Sequence, residues 1–178
     1  MDAVDILINE HVYIKKVLAA IKRDCEQLVE GKNVDINFYR QIIDFVRNFA
    51  DKYHHQKEEK MLFNIMSEKN EALKTGAIQG MLLEHDLGRM YIRNLEDALN
   101  KYENGDKRQK AYIVANAICY AMLLEGHIEK EDNAVYMTAR RVLDKKTQEK
   151  LTEEYEKIEM EEENIKFRNK YIEFANSL

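Results

Sequence analysis

The chain has 178 residues, no proline and only six glycines, so helix breakers are almost absent. Charged residues make up 34% and apolar residues 45%, a balance that suits one soluble all-α domain with a sizeable core. A net charge of −5 argues against nucleic acid or an anionic membrane surface as a partner.

Four long periodic segments follow one another, separated by short polar breaks. The first runs from about Val4 to Glu30 and stops at Gly31, which can supply a left-handed cap. The second runs from about Ile36 to Met66, the third from about Ala72 to Tyr102, and the fourth from about Lys107 to Leu143. Asp144 is the expected N-cap of a fifth segment that reaches toward the C-terminus. Short connections between such long helices imply antiparallel neighbours. The expected architecture is therefore an up-down-up-down four-helix bundle over residues 1–143. An additional C-terminal helix, residues 144–178, is expected to pack along it.

No apolar run approaches the length of a membrane span. Asp2 and Asp5 stand where a signal peptide would be positive. Cys25 and Cys119 lie far apart in apolar helical contexts and are expected to be reduced core thiols of a cytoplasmic protein.

The seams carry polar residues where a bundle helix should be apolar. Val4, Leu7, His11, Ile14 and Leu18 recur at spacings of three and four on the first helix. Met81, His85, Gly88 and Ile92 do so on the third, and Tyr120, Leu124, His127, Glu131, Ala134 and Thr138 on the fourth. On the second, Tyr39, Ile43, Val46, Ala50, His54 and Glu58 form one face, expected to continue through Met61 and Ile65. A buried carboxylate is costly unless paired or bound to a cation.

The two halves also resemble each other. "EH" occurs at Glu10-His11 and again at Glu84-His85, and "HHQKEEKMLF" aligns with "HIEKEDNAVY". This matches His54 to His127, Lys57 to Lys130, Glu58 to Glu131, Glu59 to Asp132 and Phe63 to Tyr136. Residues four apart share a helix face, so each His-x-x-x-Glu can address one point on the bundle axis. Two such points, bridged by carboxylates, make a two-metal site with ions roughly 3.5–4 Å apart. Four imidazoles with two carboxylates suit iron better than magnesium or calcium, although zinc and manganese fit by donor type. His55 and Glu59 form a second His-x-x-x-Glu, one residue out of phase, and the repeat favours His54 with Glu58. In that register His55 and Glu59 flank the site and hydrogen-bond around it.

The segments "HHQKEEKMLF", "EHDLGR" and "HIEKED" resemble, in order and separation, those of the hemerythrin-like family of histidine–histidine–glutamate cation-binding domains. The resemblance covers nearly the whole chain. It implies a four-helix bundle with a non-haem di-iron centre whose ligands are His11, His54, Glu58, His85, His127 and Glu131, the glutamates bridging two iron ions. Oxygen-carrying members have a fifth histidine one turn before the position of His85, where this chain has Met81. The site thus resembles the four-histidine branch, which includes bacterial proteins linked to iron–sulfur centre repair under nitrosative stress. Those proteins carry an N-terminal cysteine domain that has no counterpart here.

Four histidines leave one open position on each metal. That arrangement suits a small ligand engaging both irons: oxygen, nitric oxide or peroxide. Binding or sensing of a diatomic ligand is the leading expectation. Catalase-, peroxidase- or oxidase-like turnover in stress defence is the alternative, with iron storage a weaker one. Tyr120, two turns before His127, is a candidate cavity residue.

Overall fold

Capping chemistry sets the helix boundaries in the computed structural model, which describes all 178 residues and contains no strand. α1 (Ala3–Val29) begins at Asp2, whose carboxylate accepts from the Asp5 amide while the Asp5 carboxylate accepts from the Asp2 amide. It ends before Gly31, which takes φ +111°, a conformation open to glycine. α2 (residues 36–69) starts on Asp35, α3 (residues 71–103) on Asn70 and α4 (Lys107–Val142) on Asp106, each side chain accepting from a first-turn amide. Asp144 caps α5 (Lys145–Met160) by accepting from the Thr147 amide. α6 (Glu162–Ser177) follows a single extended residue, Glu161, at ψ 127°.

The C-terminal stretch expected as one helix is therefore two. The break falls at Met160-Glu161-Glu162-Glu163, where like charges crowd one another. Asn164 Nδ2 donates to the Ile158 carbonyl and satisfies an acceptor freed by the break. The turn lets α6 bring Tyr171 and Ala175 into the core, while Leu151 and Tyr155 of α5 are buried further along.

Polar contacts run in opposite order along neighbouring helices. Arg40, Arg47 and Asp51 of α2 meet Glu103, Glu96 and Arg89 of α3 in turn. Asp5, Lys15 and Lys22 of α1 meet Arg140, Asp132 and Glu125 of α4. Two apolar clusters fill the interior. His11, His54, Glu58, His85, His127 and Glu131, all at most 1% exposed, lie where each helix passes from one cluster to the other.

Wide turns interrupt the α-helices at this polar layer. Residues Glu58–Leu62 and Glu131–Val135 form π turns, closed by i→i+5 bonds from the Phe63 amide to the Glu58 carbonyl and from the Tyr136 amide to the Glu131 carbonyl. The extra residue corrects the expected seams. They continue not through Met61 and Ile65 but through Leu62 and Met66, and not through Ala134 and Thr138 but through Val135 and Ala139. The same turns swing Phe63 and Tyr136 back over the polar layer.

Two further expectations change. Residues 111–128 of α4 carry only one charged side chain, Glu125, and the helix is long and apolar enough, by length and composition alone, to cross a membrane. Here its inner face packs Ile113, Ala117, Tyr120 and Leu124 into the core. Cys25 is buried as expected, but Cys119 is exposed because it lies on the outward face of α4.

Candidate metal centre

Each helix hairpin brings two imidazoles face to face. His11 Nε2 lies 2.9 Å from His54 Nε2, and His85 Nε2 lies 2.9 Å from His127 Nε2. The outer nitrogens fix the tautomers. Nδ1 of His11, His54 and His85 donates to Asp132, Glu10 and Glu59 respectively at 2.7 Å, and Nδ1 of His127 donates to Glu84 at 2.8 Å. With Nδ1 carrying the hydrogen, two neutral rings would turn lone pairs toward each other, an arrangement that either a proton or a metal cation between them relieves.

The outer carboxylates are themselves anchored by cations. Asp132 pairs with Lys15 at 2.7 Å, Glu59 with Arg89 at 2.7 Å, Glu10 with Lys57, and Glu84 with Lys130. The pattern repeats between the halves. Glu10 and Glu84 precede the first histidine of each hairpin, whereas Glu59 and Asp132 follow the glutamates and reach across to the other hairpin. The sequence reading missed the roles of Glu10, Glu84, Lys15 and Arg89. The signal was present in the repeat, since Lys15 and Arg89 each stand four residues after a matched histidine.

Glu58 and Glu131 lie between the two imidazole pairs. Glu58 Oε2 is 3.7 Å from His54 Nε2 and 3.6 Å from His85 Nε2. Glu131 Oε2 is 3.4 Å from His11 Nε2, and its Oε1 is 3.0 Å from His127 Nε2. Each carboxylate thus touches one histidine of each hairpin. Glu58 Oε2 and both oxygens of Glu131 are buried without a hydrogen-bond donor. Buried carboxylate oxygens of this kind are costly unless a cation meets them. The donor set fits a metal on this ground: imidazole lone pairs and orphaned carboxylate oxygens converge on one dry layer. His11, His54 and Glu131 form one group able to hold a cation, and Glu58, His85 and Glu131 another; His55 joins two more, one with His85 and His127 and one with His54 and Glu58.

The protonation pattern has the same origin. Burial pushes the Glu58 carboxyl well above its ordinary value, and the neighbouring Glu131 charge adds to it. Burial drives the His54 imidazole well below the ordinary range, with His11 the next influence. Burial also acts on His11 and His127, but Asp132 and Glu131 outweigh it at the first, and Glu131 and Glu84 at the second. Both are held above the ordinary histidine range. Protons and metal ions therefore compete for the same nitrogens.

The halves differ at two matched positions. Tyr136 donates its hydroxyl to Glu58 Oε1 at 2.6 Å and stacks on His11, with ring centroids 5.6 Å apart. Its counterpart Phe63 stacks on His85 at 6.2 Å but has no hydroxyl for Glu131. His55, matched by Ile128 in the other half, stacks on His85 at 3.8 Å and 12°. Burial lowers its pKa to about 3, with His85 the next cause. Met81 is buried in the apolar cluster beside Phe63 and Met66. Tyr120 is buried and lines a cavity of about 350 Å³ that reaches His55 and His85 from the surface between α2, α3 and α4. The structure thus brings His11, His54, Glu58, His85, His127 and Glu131 into one layer. Glu59 is turned away from it, to His85 Nδ1.

Neither a search of curated proteins nor one of solved structures gives a match. A family model does, over residues 2–139, and its description is the Hemerythrin HHE cation binding domain. The chain belongs to that hemerythrin family.

Proposed function

We propose that this chain is a non-haem di-iron protein that binds or senses a small diatomic ligand, oxygen or nitric oxide. The observation that carries this reading is the pair of opposed imidazole couples with Glu58 and Glu131 between them. His11 and His54 would hold one iron, His85 and His127 the other, and the two glutamates would span both. When bound, the irons supply a redox-active centre able to hold a diatomic molecule.

The chain's own residues prepare that centre. Asp132, Glu10, Glu59 and Glu84 keep hydrogen on Nδ1 and so keep Nε2 free to ligate. Tyr136 fixes one oxygen of Glu58. Phe63, Leu62 and Met81 keep water from one side of the layer. We read residues 1–143 as an up-down-up-down four-helix bundle, which the antiparallel order of contacts supports. Residues 144–178 pack along it, with Tyr155 donating to the Lys57 carbonyl.

A second reading is an enzyme acting on peroxide or oxygen. The cavity that reaches His55 and His85 favours it, because turnover needs an entry path to the reacting centre. Anaerobic iron loading, then stopped-flow mixing with oxygen, nitric oxide and peroxide in turn, separates the two. One stable coloured adduct per chain supports the binding module. Repeated consumption of peroxide or oxygen supports the enzyme. No spectral change with any of the three would contradict both.

A further inference from the structure

The cavity beside His85 is larger than a diatomic ligand requires. Its volume of about 350 Å³ falls in the range of small organic-ligand sites, roughly 300–1,000 Å³. Its walls divide by chemistry. Val46, Ile92 and Leu124 give an apolar surface, and Gly88 opens space in front of Tyr120. A Cβ at Gly88 would stand 3.5 Å from Tyr120 Cε2, so the glycine widens the cavity without being demanded by close packing.

At the deep end sits His55, 6% exposed, with Nδ1 buried and unpartnered. Asp51 Oδ1 is 3.5 Å away and is already engaged by Arg89 at 2.6 Å. At the mouth stand three arginines. Arg47 is neutralised by Glu96 and Arg89 by Asp51 and Glu59. Arg93 is exposed and makes no ion pair. The two carboxylates that line the cavity are already paired, Asp51 with Arg89 and Glu84 with Lys130 and His127, so Arg93 is the uncompensated charge at its entrance.

We propose that this cavity binds a small organic carboxylate whose head group pairs with Arg93 and whose apolar body lies against Ile92 and Leu124. The site goes beyond the binding of a diatomic and stands whichever metal the centre holds, since Arg93 and the apolar wall do not depend on it.

Calorimetric titration of the full chain, iron-loaded and metal-free, with butanoate, hexanoate and benzoate tests this, using the corresponding alcohols as neutral controls. At least one carboxylate is expected to bind one per chain with Kd below about 1 mM. Its alcohol should bind about three- to fivefold more weakly, the expected effect of losing an ion pair with an exposed arginine. Arg93→Gln, on an exposed side chain, should weaken the carboxylate by a similar factor with metal content unchanged. Gly88→Leu should block binding by filling the cavity, and Arg93→Gln decides the matter even if that variant does not fold. No saturation by any carboxylate up to about 10 mM would overturn the proposal. So would equal binding of acid and alcohol, or binding that survives Arg93→Gln and requires metal, which would identify the carboxylate as a direct metal ligand. Metal content, measured on the same samples, reports separately on the di-iron reading.

Discussion

Tyr136 donates its hydroxyl hydrogen to Glu58 Oε1 at 2.6 Å. The donor exists because a π turn at Glu131–Val135 carries position 136 back over the polar layer. The matching turn at Glu58–Leu62 does the same for Phe63, which has no hydrogen to give. Glu58 is therefore partly satisfied without a cation, and Glu131 is not.

Tyr136→Phe makes the two halves alike. A hydrogen bond to a buried carboxylate should be lost without a change in packing, at a cost of about 1–3 kcal/mol in the metal-free chain. Urea unfolding of both proteins measures this. A midpoint that does not move would mean that Glu58 finds another donor.

Lys57 and Lys130 occupy matched positions but different surroundings. Lys57 and Glu10 are each 3% exposed, with Tyr155 and Glu159 of α5 laid over them. Lys130 is half exposed above Glu84. Lys57→Ala strands a buried carboxylate and should cost about 3–5 kcal/mol. Lys130→Ala should cost less than about 1 kcal/mol, because the exposed pair is screened by water. Thermal or urea unfolding of both variants checks the contrast, and equal losses would show that α5 does not seal the first half.

The doubled histidine can be resolved by substitution. His54 Nε2 faces His11, whereas His55 stacks beside His85 with its nitrogen toward Asp51. His55→Ala should lower iron affinity by no more than the roughly 10–100-fold that loss of a residue behind the ligands costs, and His54→Ala by more than that. Competition with a chelator gives both constants. The reverse order would make His55 and Glu59 the ligand pair.

Proton competition gives a pH dependence with a defined sign. Carboxylate neighbours hold His11 and His127 above the ordinary histidine range in the metal-free chain. A metal can bind only the deprotonated nitrogen. Affinity should therefore rise as pH climbs through those raised values and level off above them, and loading near neutral pH should release protons. Calorimetry in buffers of different ionisation enthalpy counts them. Metal uptake without proton release would show that these imidazoles are already neutral or do not ligate.

Much of this arrangement was legible in the sequence, and the exceptions share a physical cause. Helix positions followed from Asp and Asn caps and from Gly31, all of which act locally. The polar layer followed from an internal repeat that places His54 with Glu58 and His127 with Glu131. The π turns left no such mark, because an i→i+5 bond depends on what the wide turn packs against. They moved the seams by one residue, from Met61 to Leu62 and from Ala134 to Val135. The break at Glu161 depends on α6 finding the core through Tyr171 and Ala175, a long-range contact. The carboxylates behind the histidines are long-range as well: Asp132 serves His11 across 121 residues of chain.

The number of metals bound tests the central claim most directly. The chain should be titrated anaerobically with ferrous iron, freed of unbound metal and assayed for iron by elemental analysis. Two opposed imidazole couples with two shared carboxylates predict two irons per chain, falling toward one or fewer when His54 or Glu131 is replaced by alanine. A clean value of one iron in the unaltered chain, or preferential uptake of a single zinc, would contradict the two-metal centre.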